Sequence, residues 1–133
     1  QISSGLDLNK GGKPFVVFSD PNCPFCRELE KSLAQLDGGL NPVVLPLGFK
    51  EGARDLSASI LCSKEPVLAW KAYMRDGKKP SAQVCQDGLA KVDANMALFR
   101  ELQMGSTPTL VSPSGVVVVG SGTPEAIRMV MSN

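Results

Sequence analysis

A chain of 133 residues has room for one ordinary domain with a single core, and 43% apolar with 20% charged residues is a globular composition rather than a disordered one. The net charge is +1, from 14 basic and 13 acidic residues, and no basic block gathers on one stretch, so no nucleic-acid partner is expected. Histidine is absent, which removes imidazole general bases, histidine-containing triads and every zinc site that uses a histidine ligand.

Residues 1–12, QISSGLDLNKGG, are polar, glycine-rich and weakly patterned; they read as a linker or a loosely attached first strand, ahead of a domain over 13–133. The start at Gln1 rather than methionine points to a longer precursor, so the lack of a signal peptide says little about compartment. KPFVVFSD (13–20) is a short apolar run bounded by turn residues, as expected of a strand buried on both faces. Phe25, Leu29, Leu33 and Leu36 then recur at helical spacing, with Arg27, Glu28, Glu30, Lys31 and Gln35 on a solvated face and Gly38-Gly39 as the stop. NPVVLPLGF (41–49) predicts a second strand, at an edge or bent because of Pro46.

Two helices are predicted next, over 53–64 and 66–77, the second opened by Pro66 and closed by Gly77. Trp70 and Tyr73 share one face of it and read as core. Residues 78–88 are loop-like, and 89–105 are again helical. TPTLVSP and VVVVG flank Pro113-Ser114-Gly115 as a hairpin, and Thr123-Pro124 caps a closing helix packed through Met129 and Met131. Apolar runs such as PFVVF and VVVVG are strand-length, too short to cross a bilayer. The order predicts an α/β fold with a central sheet flanked by helices.

Cys23-Pro24-Phe25-Cys26 carries the chemistry. Proline is favoured at the first helical position because its missing N–H has no partner there. With Pro24 in that position, Cys23 becomes the N-cap, and its sulfur is expected to accept from the amides of Phe25 and Cys26 at the positive end of the helix dipole. Such thiols ionise at roughly 3.5–7.5 instead of about 8.5. Cys26, one turn further in, is close enough to close a disulfide, more buried and less acidic. The roles follow from this asymmetry: Cys23 is the attacking nucleophile and Cys26 the resolving thiol. A zinc site is disfavoured because Cys62 and Cys85, 23 positions apart, form no second knuckle. A purely structural CxxC disulfide closes too small a loop to stabilise much. Phe25 is either substrate-facing or part of the helix core. Asp20 is read as a turn former, with tuning of the thiols as the alternative.

A strand followed by CxxC at a helix start, with GSTPTLV at 105–111, resembles the thioredoxin fold and its cis-proline loop, Thr107-Pro108 matching the loop. A cis bond there exposes the Thr107 backbone for pairing with an extended substrate, which makes Thr107 and Pro108 substrate-binding candidates together with Phe25. Over most of 13–131 the chain is similar to the catalytic domain of the DsbC/DsbG group of bacterial periplasmic disulfide isomerases. The likeness rests on VVFSDPNCPFC, ILCSK, QVC and MGSTPTLVSPSGVVVVG. Phe25 replaces the tyrosine common in that group. The resemblance implies a helical insertion between the second strand and the cis-proline hairpin, and a second, structural disulfide between Cys62 and Cys85, for which two buried free thiols are the alternative. It also implies protein substrates bearing disulfides, a membrane reductase of the DsbD type as partner, and a homodimer if a dimerisation domain lies upstream. Four cysteines with two given to a staple point to an oxidising compartment, the periplasm by resemblance.

The function expected is thiol–disulfide exchange as isomerase or reductase. A monomeric dithiol oxidase and a non-catalytic binding module are the alternatives. No cofactor and no metal are expected, since the cysteines themselves carry the electrons.

Overall fold

The computed structural model describes residues 4–36 and 38–133. Five strands form one mixed sheet: β1 (Leu6–Asp7), β2 (Lys13–Ser19), β3 (Leu40–Pro46), β4 (Thr109–Val111) and β5 (Val117–Val119), in the spatial order β1-β3-β2-β4-β5. β2 and β3 run parallel with Val17 opposite Val44, and the other pairings are antiparallel. The helices are α1 (Pro24–Leu33), α2 (Ala53–Leu61), α3 (Pro66–Asp76), α4 (Gln86–Glu101) and α5 (Pro124–Met131). This is the thioredoxin-like architecture expected from the sequence, with α2, α3 and α4 between β3 and the β4–β5 hairpin.

The two-residue period of a strand divides the core into two layers. Phe15 and Val17 of β2 face Leu29 and Leu33 of α1, Trp70 and Tyr73 of α3, and Ile127 and Met131 of α5. Phe18 points the other way, against Leu45, Leu47, Ala58 of α2 and Val92, Met96 and Phe99 of α4. β3 is an interior strand, hydrogen-bonded on both sides, so the proline-based expectation of an edge fails. Pro46 is tolerated because it is the last residue of the strand, its carbonyl accepting from Asn95 Nδ2 at 3.0 Å. Leu6 and Leu8 lie in the first core layer, and the Lys71 amine donates to the Leu8 carbonyl at 3.0 Å, so residues 6–8 are packed on the domain.

Helix boundaries obey local signals. Pro24, Pro66 and Pro124 each sit at a helix start, and Gly77 closes α3 with a φ of 72°, a left-handed value that glycine adopts without penalty. The Thr123 hydroxyl accepts from the Ala126 amide at 3.2 Å, capping α5. Met131 is buried but Met129 is 73% exposed, so only one of the two methionines packs the last helix.

Glu30, read as solvated, is 1% exposed. The buried positions of α1 are Cys26, Leu29, Glu30 and Leu33, a stripe whose far edge faces α3. There the Trp70 indole N–H donates to Glu30 Oε2 at 3.0 Å and Arg75 Nε donates to Oε1 at 3.3 Å. Burial pushes the Glu30 carboxyl above its ordinary pKa, against the opposing pull of Trp70 and Arg75. The apolar pattern of α1 carries no trace of these partners, which α3 brings from 40 and more residues away.

Cys62 and Cys85 are joined by a disulfide. It links the C-cap of α2 to the N-cap of α4, where the Gly88 amide also donates to Cys85 Sγ at 3.4 Å. The approach of the two helices depends on Gly88: a Cβ there would lie 2.4 Å from Cys62 Sγ and 2.6 Å from the Ala58 carbonyl oxygen.

Candidate active site

The loop between β2 and α1 is built around Asp20, which is fully buried. Its Oδ1 accepts from the Asn22 amide, and its Oδ2 accepts from the amides of Phe49 and Lys50, each at 2.9 Å. The Asp20 carbonyl accepts from the Cys23 amide at 3.1 Å. One carboxylate thereby closes the turn before the helix and fastens it to the segment after β3. The turn-forming role read for Asp20 is the one its oxygens perform. A second brace comes from α3. The Tyr73 hydroxyl donates to Asn22 Oδ1 at 2.7 Å, and Arg27 lies over the Tyr73 ring, donates to its hydroxyl and donates through Nε to the Pro21 carbonyl at 3.0 Å. Arg27, read as solvated, is a structural part of this loop. Its long side chain reaches back along the helix towards its N-terminus, as helical side chains do.

Cys23 is the N-cap of α1 and Cys26 lies in its first turn; both are free thiols and both are buried. Cys23 Sγ makes no cap hydrogen bond in this structure, although the amides of Cys26 and Phe25 that a cap would use act to favour its thiolate. A protonated thiol is a donor and needs an acceptor, and Cys23 Sγ finds one in the Thr107 carbonyl at 3.6 Å. The Thr107–Pro108 peptide bond is cis, and this turn faces the thiols across the end of the sheet. Burial raises the Cys23 pKa, but the Thr107 side chain and the amides of Cys26 and Phe25 outweigh it, and the net shift is downward. Cys26 is pushed up to about 12, chiefly by burial, with the Asp20 amide donating to its sulfur at 3.3 Å as a partial offset. The two sulfurs of one motif thus ionise far apart.

Phe25, one position off the buried stripe of α1, is 62% exposed, so it belongs to the rim and not to the helix core. It borders a groove of about 650 Å³ that opens on Cys23 and is lined by Phe49, Phe99, Met104 and Val119. Phe49 and Phe99 meet at 5.3 Å, and Arg100 lies 5.0 Å above the Phe49 ring. Thr107 also lines the groove, and Pro108 behind it is buried. The lining residues Phe49, Phe99, Met104 and Val119 escaped the sequence reading. Phe49 ends the predicted second strand and Phe99 lies within the predicted helix 89–105, and only the tertiary fold brings them to one opening. Cys62 and Cys85, bonded to each other, are removed from any thiolate ligand set with Cys23 and Cys26.

A thiol of lowered pKa that opens on a groove, with a second, buried thiol one helical turn away, has the elements needed for thiol–disulfide exchange. The ionisation gap is measurable. Alkylation of the reduced protein by iodoacetamide is expected to rise with pH at Cys23 through a midpoint below the ordinary cysteine value of about 8.5. Cys26 is expected to stay unmodified up to about pH 10. Peptide mass mapping separates the two, and equal labelling of both would contradict the asymmetry.

Residues 8–133 match the family described as thioredoxin-like domain. The probable thiol:disulfide interchange protein DsbC of Bordetella pertussis is 33% identical over 116 residues, covering 84% of this chain and 39% of that protein. The protein of the same name from Bordetella avium is 29% identical over 124 residues, covering 90% of this chain and 42% of its own. The chain therefore spans about two fifths of the length of these relatives. Among solved structures, the disulfide interchange protein from Neisseria gonorrhoeae superposes with a TM-score of 0.83 at 24% identity, over 99% of this chain and 96% of that one. The catalytic domain of Proteus mirabilis ScsC gives 0.78 at 21% identity, over 98% and 88%. These structural likenesses carry the fold. With the match over nearly its whole length and the sheet order, this chain belongs to the thioredoxin-like domain family.

Proposed function

We propose that the protein is a thiol–disulfide oxidoreductase of the bacterial periplasm that isomerises or reduces protein disulfides through Cys23 and Cys26. The observation that carries this reading is the inequality of the two sulfurs. Cys23 sits at the N-cap of α1 beside an open groove, where its pKa is lowered, and Cys26 lies in the core under the Asp20 amide, where burial pushes its thiol up to about 12. The DsbC name of the curated relatives supports the same chemistry.

In the first step the Cys23 thiolate attacks a substrate disulfide. A Cys23–substrate bond forms, the substrate S–S bond breaks, and the released sulfur takes a proton. The mixed disulfide then either is displaced by another substrate thiol, which is isomerisation, or is attacked by Cys26, which returns a substrate dithiol and leaves Cys23–Cys26 oxidised. The second route passes two electrons to the substrate, so the pair must be recharged by a dithiol donor; a membrane reductase of the DsbD type fits that need. An apolar groove beside a backbone turn suits an extended, unfolded segment, with Phe25 and Thr107-Pro108 as its contacts. Favouring the Cys23 thiolate favours the reduced pair, so the pair is expected to be readily reduced.

The deciding experiment adds catalytic amounts of the reduced protein to scrambled ribonuclease without added oxidant. Recovery of ribonuclease activity well above the uncatalysed rate is expected. Exchange of disulfides without recovery would overturn the isomerase reading in favour of a simple reductase or oxidase, and no exchange at all would overturn the oxidoreductase reading.

A further inference from the structure

We propose that the Ser19 hydroxyl is a hydrogen-bond donor held in reserve for the Cys26 sulfur, made when that sulfur ionises to resolve the mixed disulfide. The inference rests on the reading of Cys23–Cys26 as an exchange pair.

Ser19 is the last residue of β2 and is 1% exposed. Strand alternation puts it on the same face as Phe15 and Val17, the face covered by α1, where Cys26 is packed. Its backbone is occupied by the sheet and its carbonyl accepts from the Leu47 amide at 2.9 Å, yet among the described residues its side-chain oxygen has no hydrogen-bond partner. A buried hydroxyl without a partner costs stability, so a serine here calls for a reason. The next residue supplies it. The Asp20 amide donates to Cys26 Sγ at 3.3 Å, so the end of β2 already presents one donor to that sulfur. Ser19 directly precedes that donor on the buried face under α1, and its hydroxyl, which makes no hydrogen bond in the resting structure, acts to favour the ionised form of the same sulfur.

Other charged or titratable groups nearby do not meet the need. The Asp20 carboxylate is turned onto the amides of Asn22, Phe49 and Lys50. Glu30, one helical turn beyond Cys26, is engaged by Trp70 and Arg75, and a Cys23 thiolate opposes ionisation of its neighbour. Among the described residues no cation bonds or pairs with Cys26, so two dipolar donors from the strand end are what the fold offers an anion there. In the resolving step Cys26 loses its proton, its thiolate attacks Cys23 Sγ, the Cys23–Cys26 bond forms and the Cys23–substrate bond breaks. The departing substrate sulfur gains the proton that balances the one lost. Ser19 keeps its own proton throughout and only turns it towards the charge.

The test is single-turnover kinetics of the reduced full chain with a mixed disulfide of a nonapeptide and 2-mercaptoethanol. Release of the first thiol reports attack by Cys23, and release of the second reports resolution by Cys26. Ser19→Ala is expected to slow resolution relative to attack by roughly tenfold, as a lost hydrogen bond to an anion requires. Ser19→Thr, which keeps the hydroxyl, is expected to restore the ratio. The urea midpoint of Ser19→Ala is expected to equal or exceed that of the unsubstituted protein, since an unpartnered hydroxyl has been removed.

A resolution-to-attack ratio within twofold of the unsubstituted value overturns the proposal, as does equal slowing of both phases. A clear loss of stability in Ser19→Ala would show that the hydroxyl is already bonded in the resting state and overturns it too. If the unsubstituted protein releases neither thiol, the exchange reading itself fails. If it releases both and Ser19→Ala behaves identically, only this inference fails.

Discussion

Cys23→Ser is expected to abolish thiol–disulfide exchange, lowering the rate by at least about a thousandfold to that of the uncatalysed reaction. A serine hydroxyl at this N-cap stays protonated across the accessible pH range and is no nucleophile towards sulfur, while the groove and the turn at Thr107 remain. Cys26→Ser is expected to differ in kind. Attack proceeds, resolution does not, and the substrate stays bound to Cys23 as a mixed disulfide, seen as a mass increase that a reductant removes. The pair of variants separates the two roles. A Cys23→Ser protein retaining more than about a tenth of the rate, or a Cys26→Ser protein that gathers no adduct, would refute the assignment.

The Cys62→Ala/Cys85→Ala double variant is expected to lose about 3 kcal/mol of stability, from the loop-closure entropy of a 23-residue separation. The location adds to the expectation. The bridge fastens α2 to α4 where Gly88 lets the helices approach, and Cys85 Sγ accepts an amide of the first turn of α4. Urea unfolding of both proteins, with Cys23 and Cys26 held in the same redox state, measures the difference as a fall in midpoint of about 1–2 M at an ordinary m-value. A loss under about 1 kcal/mol would mean that packing of Ala58, Val92 and Met96 already holds the two helices together without the staple.

The two predictions differ in how much of their basis is visible in the chain. Cys23, Pro24 and Cys26 are three residues of one helical turn, and a cap, a proline start and a dithiol are all properties of such a short span. Gly77, Thr123 and Pro124 are of the same sort, which is why the helix limits they imply agree with the structure. The hydroxyl of Ser19 gave no signal of its own, since its interest comes from being buried without a partner beside a sulfur seven residues on. Glu30 and Met129 were misread for a related reason. Helical periodicity ranks positions by their neighbours on the same helix, and Glu30 lies at the margin of the stripe where α3 decides.

Taken alone, the sequence determined the order of elements, the thioredoxin-like fold, the helix-start dithiol and, through family likeness, the Cys62–Cys85 pairing. These depend on contacts within a turn or on motifs that survive as short strings. The tertiary structure decided which way Phe25 faces, what lines the groove, where Glu30 finds its partners and what surrounds the Cys26 sulfur. Each is a matter of burial among residues tens of positions apart, and burial, which sets both exposure and the cost of a charge, is a property of the packed chain alone.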